Sequence, residues 1–206
     1  MEPSKHQYDF DTETVIGFLR HYGLDKDFRL NIEANHAELA GHDFTHELET
    51  AAAAGLFGSV DANRGDTMNG WDTDQFPISY YETALAMYTI IKAGGFTTGG
   101  LNFDAKIRRN SVDPADLFIA HIGGMDAFAA GLVIADRIQS DGKIPAFIKK
   151  RYASFGTGNG AKFSRGELNL EQLAGIGEKA GYGNTGISSG KQEYLEGVLN
   201  QYLLGL

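Results

Sequence analysis

The sequence contains no cysteine. That excludes disulfide bonds and every thiolate metal centre, and it is compatible with a cytoplasmic location. Basic residues are scarce beside acids, with 18 Lys and Arg against 27 Asp and Glu and a formal net charge of −9. Binding to phosphate backbones needs clustered Lys and Arg, so no nucleic-acid partner is expected. Long apolar runs are lacking too. The longest, residues 127–135, ends at Asp136-Arg137. It is far short of the roughly 18 apolar residues of a membrane span, so no membrane partner is expected. The first ten residues are polar and charged, unlike a signal peptide.

What is present is a chain of 206 residues, 42% of them apolar, enough for one sizeable core with or without an appendage. Residues 11–21 carry Val15, Ile16, Phe18 and Leu19 at helical spacing, with Gly23 as a stop. A strand follows over residues 28–33, then a helix over 46–54 closed by Gly55. A second strand covers 56–61, a helix 79–93 and a third strand 100–104. Asp113 and Pro114 open a long helix that runs to about Ser140.

Strand–helix alternation implies a parallel sheet with crossover helices. Each strand ends in an acid: Glu33, Asp61 and Asp104. Strand C-termini build the active site of a βα barrel and, at a switch point, the ligand crevice of an open doubly wound sheet. Three acids on three adjacent strand ends suit the barrel mouth better. Three strands cannot close a barrel, and their open edges call for a partner or a rearrangement.

After Asp141-Gly142 the composition turns basic and Gly-rich. Helices are expected over 168–180 and 189–204, the second with Ser189 and Gln192 at capping-box spacing. Residues 156–160 and 181–190 read as loops, and Lys149-Lys150-Arg151 as a solvated helix face. The expected organisation is therefore residues 1–142 as an α/β, barrel-like part and residues 143–206 as an extended helical arm for packing or oligomerisation.

Chemistry concentrates on six residues. Glu33 and His36 stand three apart past a strand end, Asp72 and Asp74 flank Thr73 in an expected loop, and Asp61 and Asp104 end strands. Singly, each has an ordinary structural reading: an Asp after a strand is often an N-cap, a lone His hydrogen-bonds locally, and loop acids form Asx-turns. Together, five carboxylates and one imidazole suit divalent ions with a preference for oxygen, such as Mg²⁺ or Mn²⁺. One ion cannot use six side chains and still bind a substrate, whereas two can, with one carboxylate bridging. Other patterns fail. Residues 61–66 begin like a calcium loop but carry Asp66 where Gly is needed, and residues 186–191 fall one short of a P-loop. His6, His21, His42, His46 and His121 form no defensible metal-ligand pattern.

Several long segments resemble xylose isomerase of the longer, class II type: EPSKHQYDFD at 2–11, LNIEANHAELAGH at 30–42, GLFGSVDANRGD at 55–66, GWDTDQFP at 70–77, KAGGFTTGGLNFDAKIRR at 92–109 and the C-terminal SGKQEYLEGVLNQYL. The resemblance implies the C-terminal half of a (β/α)₈ TIM barrel and conversion of D-xylose, or D-glucose, to the ketose by a metal-assisted 1,2-hydride shift. It implies two divalent cations, Mg²⁺ with Mn²⁺ or Co²⁺ as alternatives. By position, Glu33 bridges the two, Asp61 and Asp104 bind the first, and His36, Asp72 and Asp74 bind the second. The family's ring-opening His–Asp pair, a substrate lysine and one further first-metal glutamate match no position in this sequence. The resemblance thus leaves two expectations: an isomerase, or a catalytically incompetent half barrel that binds metal and assembles with its own copies or with a missing N-terminal half.

Overall fold

The computed structural model describes residues 8–107, 110–183 and 189–206. The chain packs as two units, Met1–Asp136 and Arg137–Leu206.

The first unit is built on a parallel sheet. Its elements are α1 (Thr12–His21), β1 (Leu30–Glu33), α2 (Ala34–Leu39), α3 (Phe44–Ala53), β2 (Phe57–Asp61), β3 (Arg64–Asp66), β4 (Trp71–Gln75), α4 (Tyr80–Lys92), β5 (Leu101–Asn102) and most of α5 (Pro114–Asp141). Strands β1, β2 and β5 form one sheet in that order, with both pairings parallel. The register places Glu33 beside Asp61, and Asp61 beside Asn102. The strands therefore finish level with one another.

Helix starts follow the expected chemistry. The side chains of Asp11, Asp43 and Ser79 accept from the backbone N–H three residues on, capping α1, α3 and α4. Asp113 Oδ1 accepts from Ala115 N at 2.9 Å at the start of α5. Between sheet and helices lies a core in which Ile32, Leu48 and Val60 are fully buried. Each such side chain contributes about 1.5–3 kcal/mol by leaving water. Ile16, Leu19, Ala86, Ile90 and Phe128 close this core from α1, α4 and α5. Gly131 lets α5 approach α4, because a Cβ there would lie 2.7 Å from the Thr83 backbone. At the same crossing Thr83 Oγ1 donates to the Ala127 carbonyl at 2.8 Å.

The architecture is α/β, with four departures in this unit. Strand β5 is only two residues long, because Asp104 takes a left-handed φ of 43° just beyond it. Helix α2 follows β1 without a loop, a turn of structure too short for periodicity to reveal. Residues expected as a loop form the antiparallel hairpin β3–β4, so Asp72 and Asp74 lie on a strand. Helix α5 is long and apolar enough, by length and composition, to cross a membrane. Its polar residues Asp116, His121 and Asp126 are scattered, so no unbroken apolar run exposes this character in the sequence. Ala127, Phe128, Ile134 and Ala135 form its buried stripe, while Phe118, Ile119, Ile122 and Met125 remain exposed.

The second unit holds the end of α5, α6 (Lys143–Arg151), a 3₁₀ turn (Ala153–Gly156), α7 (Gly158–Ser164), α8 (Leu170–Lys179) and α9 (Gln192–Leu204). Helices α6, α7 and α8 bury no residue completely, and Lys149, Lys150 and Arg151 are solvated as expected. Ile138, Val198, Leu199 and Tyr202 supply the buried apolar groups. The Tyr202 hydroxyl donates to Asp141, and burial together with this carboxylate pushes its pKa up to about 12.

Two expectations are corrected here. Residues 156–160 are not a loop, since all but the extended Thr157 belong to the 3₁₀ turn or to α7. No capping box forms at α9: Lys191, at φ 54°, occupies the cap position, and Ser189 Oγ accepts from Lys191 N instead. Of the loop expected over 181–190, residues 184–188 lie outside the described residues, as does much of the P-loop-like run at 186–191.

Candidate metal centre

Glu33 ends β1 and stands at the cap position of α2, so His36 lies one helical turn further on, on the same side. His36 Nδ1 is 2.9 Å from Glu33 Oε2, and His36 Nε2 is 3.1 Å from Asp72 Oδ2. On β4, Asp72 and Asp74 are two apart and share a face, while Thr73 points the other way and donates to the Arg64 carbonyl. Asp61 arrives by strand register and Asp104 from just past β5.

The structure gathers ligand atoms into two groups that share Glu33. One is Glu33, Asp61 and Asp104; the other is Glu33, His36 and Asp72; within each, the atoms lie within 4.8 Å of one another. Asp74 belongs to neither group. It hydrogen-bonds with Asp72 and is held by the Lys106 ammonium, and its own carbonyl accepts from Lys106 N at 2.8 Å.

Asparagines fix the carboxylates. The fully buried Asn63 donates through Nδ2 to Glu33 Oε1 at 2.7 Å and to the Asp104 carbonyl at 3.1 Å. Asn31 and Asn102 donate to the two oxygens of Asp61, at 2.7 and 3.0 Å. Asn35, also fully buried, donates to Asp72 Oδ1. Gly65 makes room for Asn35, whose Oδ1 occupies the space a Cβ would need. Sequence reasoning missed these four amides and Lys106. The only signal was that each Asn lies one or two residues from an acid or a His.

The electrostatics are those of crowded acids. Burial raises the pKa of Asp104, and the charges of Asp61, Glu33 and Asp74 raise it further. Burial and the hydrogen bond with Asp74 likewise raise Asp72, against the opposing pull of His36. Burial works to raise Asp74, but the hydrogen bonds from Lys106 and Asp72 outweigh it and hold this carboxyl low. For His36, burial favours the neutral ring, but the nearby Glu33 carboxylate and the hydrogen bond and charge of Asp72 outweigh it and bring the pKa to about 8.

Two buried atoms are left over. Among the described residues Asn35 Oδ1 has no hydrogen-bond partner, and neither has His36 Nδ1, whose approach to Glu33 is close without being a hydrogen bond. Asp74 and Asp104 both adopt left-handed backbone, at φ 45° and 43°. Such conformations cost of order 1–3 kcal/mol in non-glycine residues and gather at functional sites. Crowded carboxylates, an orphaned imidazole nitrogen and strained acid positions together fit a divalent-cation centre.

Residues 148–203 match the family model described as the XylA2 C-terminal domain. The chain is 58% identical over 203 residues to Xylose isomerase 2 of Xanthomonas campestris pv. campestris (strain 8004), covering 98% of this chain and 45% of that protein. It is 57% identical, with the same coverage, to Xylose isomerase 1 of the same strain and to Xylose isomerase of Xanthomonas oryzae pv. oryzae (strain MAFF 311018). The chain thus spans about 45% of the length of these curated relatives. Over nearly its whole length, this chain is related to the C-terminal half of the xylose isomerases.

Proposed function

We propose that the two ligand groups, with Asp74 added to the second, are the two-cation centre of a xylose isomerase, with Glu33 bridging, Asp61 and Asp104 on the first ion, and His36, Asp72 and Asp74 on the second. The observation that carries this reading is the sharing of Glu33 between both groups. Mg²⁺ suits the first, all-oxygen set, and Mn²⁺ or Co²⁺ suits the second, which adds an imidazole. When bound, such ions supply Lewis-acid stabilisation of charge on the sugar oxygens while hydride passes between C2 and C1 of D-xylose or D-glucose. This chain's own residues position and neutralise. Asn63 aims Glu33, Asn31 and Asn102 hold both oxygens of Asp61, and Lys106 neutralises Asp74, a place that a second cation would take. In this reading the three parallel strands and their helices are part of a (β/α)₈ barrel, with the acids at its C-terminal mouth. Residues 143–206 are the arm that packs on a barrel or a neighbouring subunit.

The test has two stages. Mg²⁺, Mn²⁺ or Co²⁺ raises the thermal midpoint of the wild-type chain, because an ion that binds only the folded state stabilises it. The Asp72→Asn/Asp74→Asn double variant loses most of that gain; an unchanged metal response in it would refute the second site. Xylulose formation from D-xylose then reports isomerase activity.

A second reading is a metal-binding half barrel without turnover, completed by copies of itself or by an N-terminal half. The outer edges of β1 and β5, unpaired among the described residues, and the exposed apolar face of α5 favour it. The native mass with and without metal, beside the turnover assay, separates the two readings.

A further inference from the structure

Away from the acids at the strand ends, a second constellation joins the start of α1 to the start of α3. His42 Nε2 lies 3.4 Å from Asp11 Oδ2, and His46 Nε2 lies 3.7 Å from Glu13 Oε1. The two imidazoles stack nearly parallel, with centroids 4.9 Å apart. Glu47 is fully buried; its Oε2 accepts from Thr12 N at 2.8 Å, and its Oε1 faces His46 Nδ1 at 3.2 Å. One ligand atom each from His42, His46 and Glu47 falls within 4.8 Å of the others.

We propose that His42, His46 and Glu47 form a separate site for a divalent transition-metal ion of the Zn²⁺ type, sharing no residue with the acid centre. Two imidazoles and one carboxylate are a ligand set that Zn²⁺ takes in tetrahedral geometry with one position left for water. Bonds of about 2.0–2.1 Å place neighbouring ligand atoms about 3.3 Å apart, so the side chains close by at most about 1.5 Å. His46 is exposed and has that freedom.

The buried carboxylate supplies the reason for an ion. Glu47 Oε2 is satisfied by Thr12 N and Oε1 by His46 Nδ1, but a fully buried carboxylate still gains from a full positive charge beside it, which a dication held between Glu47 and the two imidazoles supplies. The positive end of α3 opposes a cation here, and Asp11 and Glu13 offset it. Such an ion clamps the beginnings of α1 and α3 together. Mg²⁺ and Mn²⁺, which favour oxygen, compete poorly for two nitrogens.

The test uses the full chain in excess Mg²⁺, titrated with Zn²⁺ while long-range ¹H–¹⁵N NMR follows each imidazole. The first equivalent of Zn²⁺ shifts the His42 and His46 rings and leaves His36 in place. His42→Gln and His46→Gln each weaken Zn²⁺ binding by more than about tenfold, since even supporting residues around a metal are worth 10–100-fold. Unmoved His42 and His46 signals during Zn²⁺ binding, or equal affinity in the double variant, would overturn the proposal. The wild-type spectra decide alone if the variants do not fold, and the His36 signal keeps the outcome separate from that of the acid centre.

Discussion

The Asn63 amide donates to Glu33 Oε1 at 2.7 Å, reaching from the segment after β2 to the end of β1, with both side chains withdrawn from solvent. Asn63 thereby fixes which Glu33 oxygen remains free to face ions. Asn63→Ala is expected to weaken Mn²⁺ binding by roughly 10–100-fold, as loss of a ligand's supporting partner does. It is also expected to lower stability by about 1–3 kcal/mol, since buried groups are left unpaired. Calorimetric titration and urea unfolding check the two effects.

Lys106 is an internal substitute for a cation at Asp74, although its side chain is largely exposed. Lys106→Gln should therefore change metal-free stability by less than about 1 kcal/mol, the usual scale of a surface ion pair. The same change should raise the Asp74 pKa and tighten binding of the second divalent ion. A carboxylate NMR titration and a Co²⁺ titration read these outcomes.

The His36 pKa of about 8 in the fold lies above the ordinary 6.5. The fold thus favours the charged ring, and its contribution is complete below about pH 6.5 and is lost as pH rises through about 8. Metal-free chain should lose this increment of stability between those limits. Metal requires the neutral ring, so with saturating Mn²⁺ the trend over the same window should reverse. Urea midpoints at pH 6, 7 and 8.5, with and without Mn²⁺, provide the comparison.

Leu48 is fully buried between α3 and the sheet that carries Glu33 and Asp61. Leu48→Ala should cost about 2–5 kcal/mol, through lost transfer energy and the cavity left behind. Hydrogen exchange should then accelerate across β1 and β2 together.

The strand–helix rhythm was legible because α1 and α4 carry apolar residues at helical spacing, α3 is Ala-rich and closed by Gly55, Asp113-Pro114 marks the start of α5, and Glu33 and Asp61 directly follow apolar runs. The grouping of Glu33 with Asp61 and with His36 was legible for the same reason: strand ends and a one-turn spacing are local features. The hairpin was hidden, since β4 reads Trp-Asp-Thr-Asp-Gln, with polar residues on both faces where strands usually alternate. The Asn supports were hidden because their partners lie 30 or more residues away in sequence. His42 and His46 offered no motif either. Their meeting with Glu47 depends on the turn that precedes α3, and on α1 delivering Asp11 to the same place.

The most direct test of the shared-carboxylate centre is anomalous diffraction at the manganese edge from crystals grown with Mn²⁺. Two peaks are predicted, both in contact with Glu33, one bordered by Asp61 and Asp104 and the other by His36 and Asp72. A single peak, or peaks that Glu33 does not touch, would contradict the account.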